Sequence, residues 1–138
     1  MCTDLKILRY LRLNSRKSLT VISKAIKIPV TTAFLKLRQN RAIKSYTTLL
    51  DFSKLGYPIK AIILIDSINS DILNHPSINS AYKLSSGKLL IESLFKDMKQ
   101  YYEFYAYIKK KADFETYFVL DELKKEDFLT SESHLKLF

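Results

Sequence analysis

Six side chains within one short stretch, Thr31, Thr32, Leu35, Lys36, Arg38 and Gln39, combine groups that address base edges with groups that address phosphate. Threonine hydroxyls and a glutamine amide can hydrogen-bond to the edges of base pairs. An exposed leucine can meet a thymine methyl, and lysine and arginine neutralise phosphate oxygens. A helix advances about 100° per residue. Stepping round from Val30 puts Val30, Ala33, Phe34 and Leu37 on one side. Thr31, Thr32, Leu35 and Gln39 lie on the other, with Lys36 and Arg38 on the flanks. A solvated helix face has the same appearance, so the surroundings must separate the two readings.

The charge distribution favours a polyanion. Residues 1–57 carry twelve Lys and Arg against Asp4 and Asp51, a surplus of ten positive charges, whereas residues 58–138 carry eleven against twelve acids. Such a segregated field attracts nucleic acid rather than a membrane, because no cationic segment has a wide, bulky apolar face. Duplex DNA is the expected partner, with Arg16, Lys17 and Lys44 as further backbone contacts.

These residues need a frame to hold them. Thr3 or Asp4 caps a first helix ending at Leu13, whose Ile7, Leu8 and Leu11 share a face. Asn14 and Ser15 stop it. Ser18 is the N-cap of a second helix carrying Leu19, Ile22 and Ile26 at helical spacing. Pro29 suits the turn or the first position of a third helix, which runs from about Val30 to Asn40 or Arg41. Ser18 to Ile43 is therefore a helix-turn-helix.

The stretches DLKILRYLRLNSRKS, IKIPVTTA and AIKSYTTLLDFSKLGY carry a resemblance. Asp4, Ile7, Leu8, Leu11, Asn14, Arg16 and Ser18 sit at the spacing of the opening signature of the Lrp/AsnC (feast/famine) transcription regulators, and Leu55-Gly56-Tyr57 resembles the end of their linker. The chain departs from that pattern too. Lys27 stands at the turn glycine and would have to adopt a left-handed conformation. The segment from Thr32 to Ile43 is shorter by nearly a helical turn. The resemblance implies a linker strand that pairs with its copy in a second subunit.

Ile43 to Asp51 alternates weakly and reads as that strand, followed by a turn closed by Gly56. Beyond Tyr57 the pattern is IKAIILID, a short helix near Ser70 to Asn74, SAYKLSS, KLLIESLF, a helix from Asp97 to Lys110, and FETYFVL. That β-α-β-β-α-β order is a ferredoxin-like plait. In the second plait helix Met98, Tyr101, Tyr105 and Ile108 share a face, and Lys109 to Lys111 complement its C-terminal dipole. Strands apolar on both faces, with helices enough for one, imply a homodimer or a larger assembly of dimers.

The family's RAM domain has this order and dimerises in this manner. Its effector loop corresponds to Ser86, Gly87 and Lys88, where a small amino-acid effector would bind. The glycine matches but the following aspartate is missing.

The expected architecture is α+β: a winged-helix-like three-helix DNA-binding domain at 1–45, a linker strand and turn at 46–57, and a RAM-type plait with a C-terminal tail at 58–138. Leu123, Phe128, Leu135, Leu137 and Phe138 could dock that tail on the plait or in an assembly. Cys2 is the single cysteine and has no zinc or disulfide partner, which fits a reducing cytoplasm. The longest apolar run, Ala61 to Ile65, is far too short to span a bilayer. His75, beside Pro76, reads as a turn residue, and His134 lies in the tail; neither suggests a metal, cofactor or catalytic base. Two alternatives stand beside a regulator: a non-specific architectural nucleic-acid binder, and a decarboxylase of the kind that shares the family's layout.

Overall fold

The computed structural model describes residues 3–136, so Cys2, Leu137 and Phe138 lie outside the described residues. The chain divides into two compact units. One comprises Met1–Leu49 with Leu123–Phe138, and the other Leu50–Glu122.

The first unit contains α1 (Thr3–Leu13), α2 (Leu19–Ile26), α3 (Val30–Gln39) and, from the tail, α6 (Glu132–Leu135). Ser18 caps α2 as its sequence predicts, its side chain accepting from the Val21 N–H at 3.3 Å. Lys27 ends α2 at φ 59°, ψ 50°, the left-handed conformation that the turn demands. The Ser23 carbonyl accepts from the Lys27 N–H and also from the Ile28 N–H at 3.0 Å, which closes the helix end. Ile7, Ile22 and Ala33 are the fully buried apolar side chains contributed by the three helices.

The expected boundary gives way at the C-terminus. The tail belongs with the helices rather than with the plait. Leu129 and Leu135 are its buried residues, whereas Leu123 is 91% exposed and Phe128 lies half open, stacked at 5.9 Å on His134.

The second unit is the plait: β1 (Ile59–Ile65), α4 (Ser70–Leu73), β2 (Ile78–Lys83), β3 (Leu89–Phe95), α5 (Met98–Lys109) and β4 (Phe114–Phe118). The strands run in the order β2-β3-β1-β4, with antiparallel neighbours throughout. Alternation closes one face: Ala61, Ile63 and Ile65 of β1 and Leu89, Ile91 and Phe95 of β3 pack with Ile72, Tyr101, Phe104 and Ile108. The α5 face therefore differs from its expected form. Phe104 is buried, and Met98 lies 39% exposed. Asp97 caps α5 by accepting from the Gln100 N–H at 2.8 Å.

Residues 43–51 form no strand within the single chain. A strand is defined by its pairing, and these residues enter no ladder among the described residues.

His75 packs its ring 4.7 Å from Phe104 and 5.1 Å from Tyr107, and its Nδ1 accepts from the Ser77 N–H at 3.2 Å. Desolvation there holds the imidazole below its ordinary value. The unfolded chain therefore takes up this proton first as pH falls. The His75 contribution to stability is complete above the unfolded value and is lost as pH falls through the folded one.

Two outcomes are expected. In urea titrations from about pH 7.5 to about pH 5, wild type should lose more stability on acidification than H75Q, the gap opening below about pH 6.5. Equal losses would show that His75 is not desolvated. Separately, Lys27→Gly should raise the thermal midpoint of the helical unit, gaining about 1 kcal/mol from relieved left-handed strain; a lowered midpoint would contradict the observed turn.

Candidate nucleic-acid interface

The helix-turn-helix is closed by small residues. Ser23, almost fully buried, turns its Oγ back to the Thr20 carbonyl at 2.9 Å, and Ala33 is fully buried. Neither side chain is large enough to hold α2 and α3 apart. Pro29 takes the N-cap of α3, at φ −60° and ψ 147°, rather than the first helical position, and its carbonyl accepts from the Ala33 N–H at 3.0 Å.

The rotation of α3 differs from the expected one. The inward stripe is centred on Ala33 with Thr32, Lys36, Leu37 and Asn40 at its margins, all partly buried. Val30 and Phe34, expected inside, are 44% and 48% exposed. The outward face thus consists of Thr31, Leu35, Arg38 and Gln39 together with Val30 and Phe34. The whole helix is turned by about half of one residue's 100° step. One contact on the opposite side accords with this: the Lys36 Nζ lies 3.3 Å from the Asp4 Oδ1 of α1. Lys36 is thereby partly neutralised, and it flanks the core instead of the open face.

The other expected backbone contacts fall in two places. Arg16 and Lys44 line one cleft of about 760 Å³ between the C-terminal end of α1 and residues 42–49. Lys17 is not part of it; its Nζ sits 5.2 Å from the Tyr10 ring. Arg16, Lys17, Arg38 and Lys44 have no acidic partner among the described residues. Arg12 also lines the cleft, a residue missed in the sequence although its position four residues before Arg16 marks it.

Ser86, Gly87 and Lys88 form the tip of the β2–β3 hairpin. Gly87 supplies φ 85°, the Leu84 N–H donates to the Lys88 carbonyl at 2.9 Å, and the Lys88 N–H donates to the Ser86 Oγ at 3.4 Å. The Lys88 ammonium lies 3.3 Å from Asp66.

The fold, a three-helix unit and an antiparallel plait, is similar over nearly the whole length of the chain to those of several solved transcription regulators. A Neisseria meningitidis transcriptional regulator, solved as an L-Met complex, superposes with a TM-score of 0.81 at 22% identity, covering 91% of this chain and 92% of that one. LrpC of B. subtilis gives 0.81 at 23% identity over 90% and 96%. AsnC of E. coli gives 0.76 at 16% identity over 89% and 93%. At these identities the likeness establishes the fold. No protein-family model and no curated protein matches the sequence. Among the described residues no helix is long and apolar enough to cross a membrane.

Proposed function

We propose that the chain is a DNA-binding transcription regulator of the Lrp/AsnC kind, working as a homodimer or an assembly of dimers. The observation that carries this reading is the open face of α3. It ends a helix-turn-helix, displays Thr31, Leu35, Arg38 and Gln39, and belongs to the half of the chain with a surplus of ten positive charges. Thr31 and Gln39 address base edges, Leu35 and Phe34 offer apolar contact to thymine methyls, and Arg38 meets phosphate. Arg16 and Lys44, sharing one cleft, and Lys17 contact the backbone. Thr32 and Lys36 take a supporting place at the edge of the reading face.

The dimer rests on the second face of the sheet. Ile62, Leu64, Leu90 and Leu94 alternate with the buried residues of β1 and β3, and all four remain only partly covered in the single chain. A second copy of the same face closes them, and each plait then carries one reader.

A small amino-acid effector at Ser86, Gly87 and Lys88 would present its carboxylate to a Lys88 ammonium already 3.3 Å from Asp66, beside a Ser86 Oγ that accepts from the Lys88 N–H. The reading assigns no catalysis. The plait's His75 packs against Phe104 and Tyr107 with its Nδ1 accepting from the backbone, which suits a fixed turn residue rather than a proton carrier.

Binding-site selection on random duplex DNA, beside sedimentation of the free protein, tests the proposal. A dimeric species that enriches a roughly palindromic site is expected. With about six phosphates neutralised per dimer, log affinity should fall against log salt with a slope near about −5. Arg38→Ala should weaken all sequences alike, whereas Gln39→Ala should cost about 1–3 kcal/mol of discrimination at the base pairs it reads. Leu64→Glu should give monomers that bind DNA more weakly. Equal affinity for every sequence would favour the architectural binder, and salt-insensitive association would defeat both.

A further inference from the structure

The tail returns to the helical unit and occupies its cations. The Arg12 Nε donates to the Phe128 carbonyl at 3.1 Å, and Arg12 Nη1 lies 3.2 Å from Glu126 Oε2. Arg9 Nη2 lies 3.4 Å from Glu132 Oε1. Glu126 is also the one acid lining the cleft that Arg12 shares with Arg16 and Lys44. A carboxylate on a guanidinium in a basic cleft stands where a phosphate oxygen would make the same charge-assisted pair.

The approach is shaped rather than casual. Glu126 and Leu129 both take left-handed backbone, at φ 50° and φ 65°, on either side of the carbonyl that Arg12 holds. Such conformations cost free energy in residues other than glycine and persist only where surrounding contacts hold them. Leu129 and Leu135, both buried, provide those contacts.

We infer that the C-terminal segment is a built-in competitor for DNA phosphate: docked on α1, it covers Arg12 with the Glu126 carboxylate and Arg9 with that of Glu132, and a DNA backbone must displace it to gain those cations. The inference rests on the reading of the helical unit as a DNA binder and adds a regulatory element to it. A free tail extends the phosphate contact from Arg16 and Lys44 to Arg12. A docked tail limits it.

The test compares three full-length proteins, wild type, Glu126→Gln and Asp121→Asn, on one duplex between about 50 and 200 mM salt. Asp121 is an acid five residues upstream that belongs to the other unit and lines no part of the cleft, so its variant carries the same charge change without touching Arg12. Glu126→Gln should bind about three- to tenfold more tightly at the low-salt end, with a log-log slope steeper by about 0.9 for each added phosphate contact. Asp121→Asn should keep the wild-type slope. A Glu126→Gln slope equal to that of wild type, or an Asp121→Asn slope that steepens as much, overturns the inference while leaving the regulator reading intact. If neither wild type nor Glu126→Gln binds duplex DNA at the lowest salt, both readings fall.

Discussion

The full burial of Ala33 on α3, with that of Ile7 on α1 and Ile22 on α2, is the constraint on which the helical unit depends. A methyl group permits a close approach and fixes the rotation of α3 with little freedom, because any larger residue at that point would force the helices apart. Everything that α3 presents outward follows from that rotation. Three fully buried apolar side chains are also a meagre core for so small a unit, and small domains bury too little surface to be comfortably stable. Leu129 and Leu135 of the tail enlarge it. At roughly 1.5–3 kcal/mol for each fully buried leucine, they matter to a fold whose net stability is of the order of 5–15 kcal/mol.

The two units treat their charges differently. In the plait, Lys60 lies against Glu92 and Glu122, Lys88 against Asp66, and Lys111 at the edge of reach of Asp71. These local pairs cancel the field at a distance. In the helical unit Arg16, Lys17, Arg38 and Lys44 lack such partners among the described residues, so their charges add. The surplus seen in the composition is therefore an external field carried by the helical unit. The plait's contribution is geometric: a sheet with one face closed by Phe95, Phe104 and Ile108 and the other carrying the partly covered Ile62, Leu64, Leu90 and Leu94 beside the Lys60–Glu92 pair.

Features governed by local chemistry were legible in the residues. Ser18 and Asp97 act as caps because a short oxygen-bearing side chain just before a helix can reach a bare N–H. Lys27 is left-handed because the turn requires it whatever residue stands there. The β-α-β-β-α-β succession of the plait followed from the alternation of patterns along the chain. Three features depended on distant contacts and were not legible. The rotation of α3 was misread because Val30, Phe34 and Leu37 form as plausible an inner stripe as the true one, and only the packing around Ala33 decides between them. Phe104 was hidden among tyrosines at similar spacing. The return of the tail to α1 joins residues more than a hundred positions apart, and nothing in the local pattern around Glu126 or Glu132 announces an arginine partner.

Strength and reversibility of the docked tail come from different parts of it. Arg12 to Glu126 and Arg9 to Glu132 are largely exposed pairs at the acid end, and such pairs are each worth less than about 1 kcal/mol and are screened by salt. Alone they could not hold a free peptide. The tail is covalently part of the chain, however, so its local concentration near α1 is high, and two buried leucines add a term that salt does not weaken. A polyanion with many phosphates can outbid the glutamates without removing the leucines. The carboxylates can thus leave Arg12 and Arg9 while Leu129 and Leu135 keep the unit's core closed, which lets the electrostatic contact exchange without unfolding the reader.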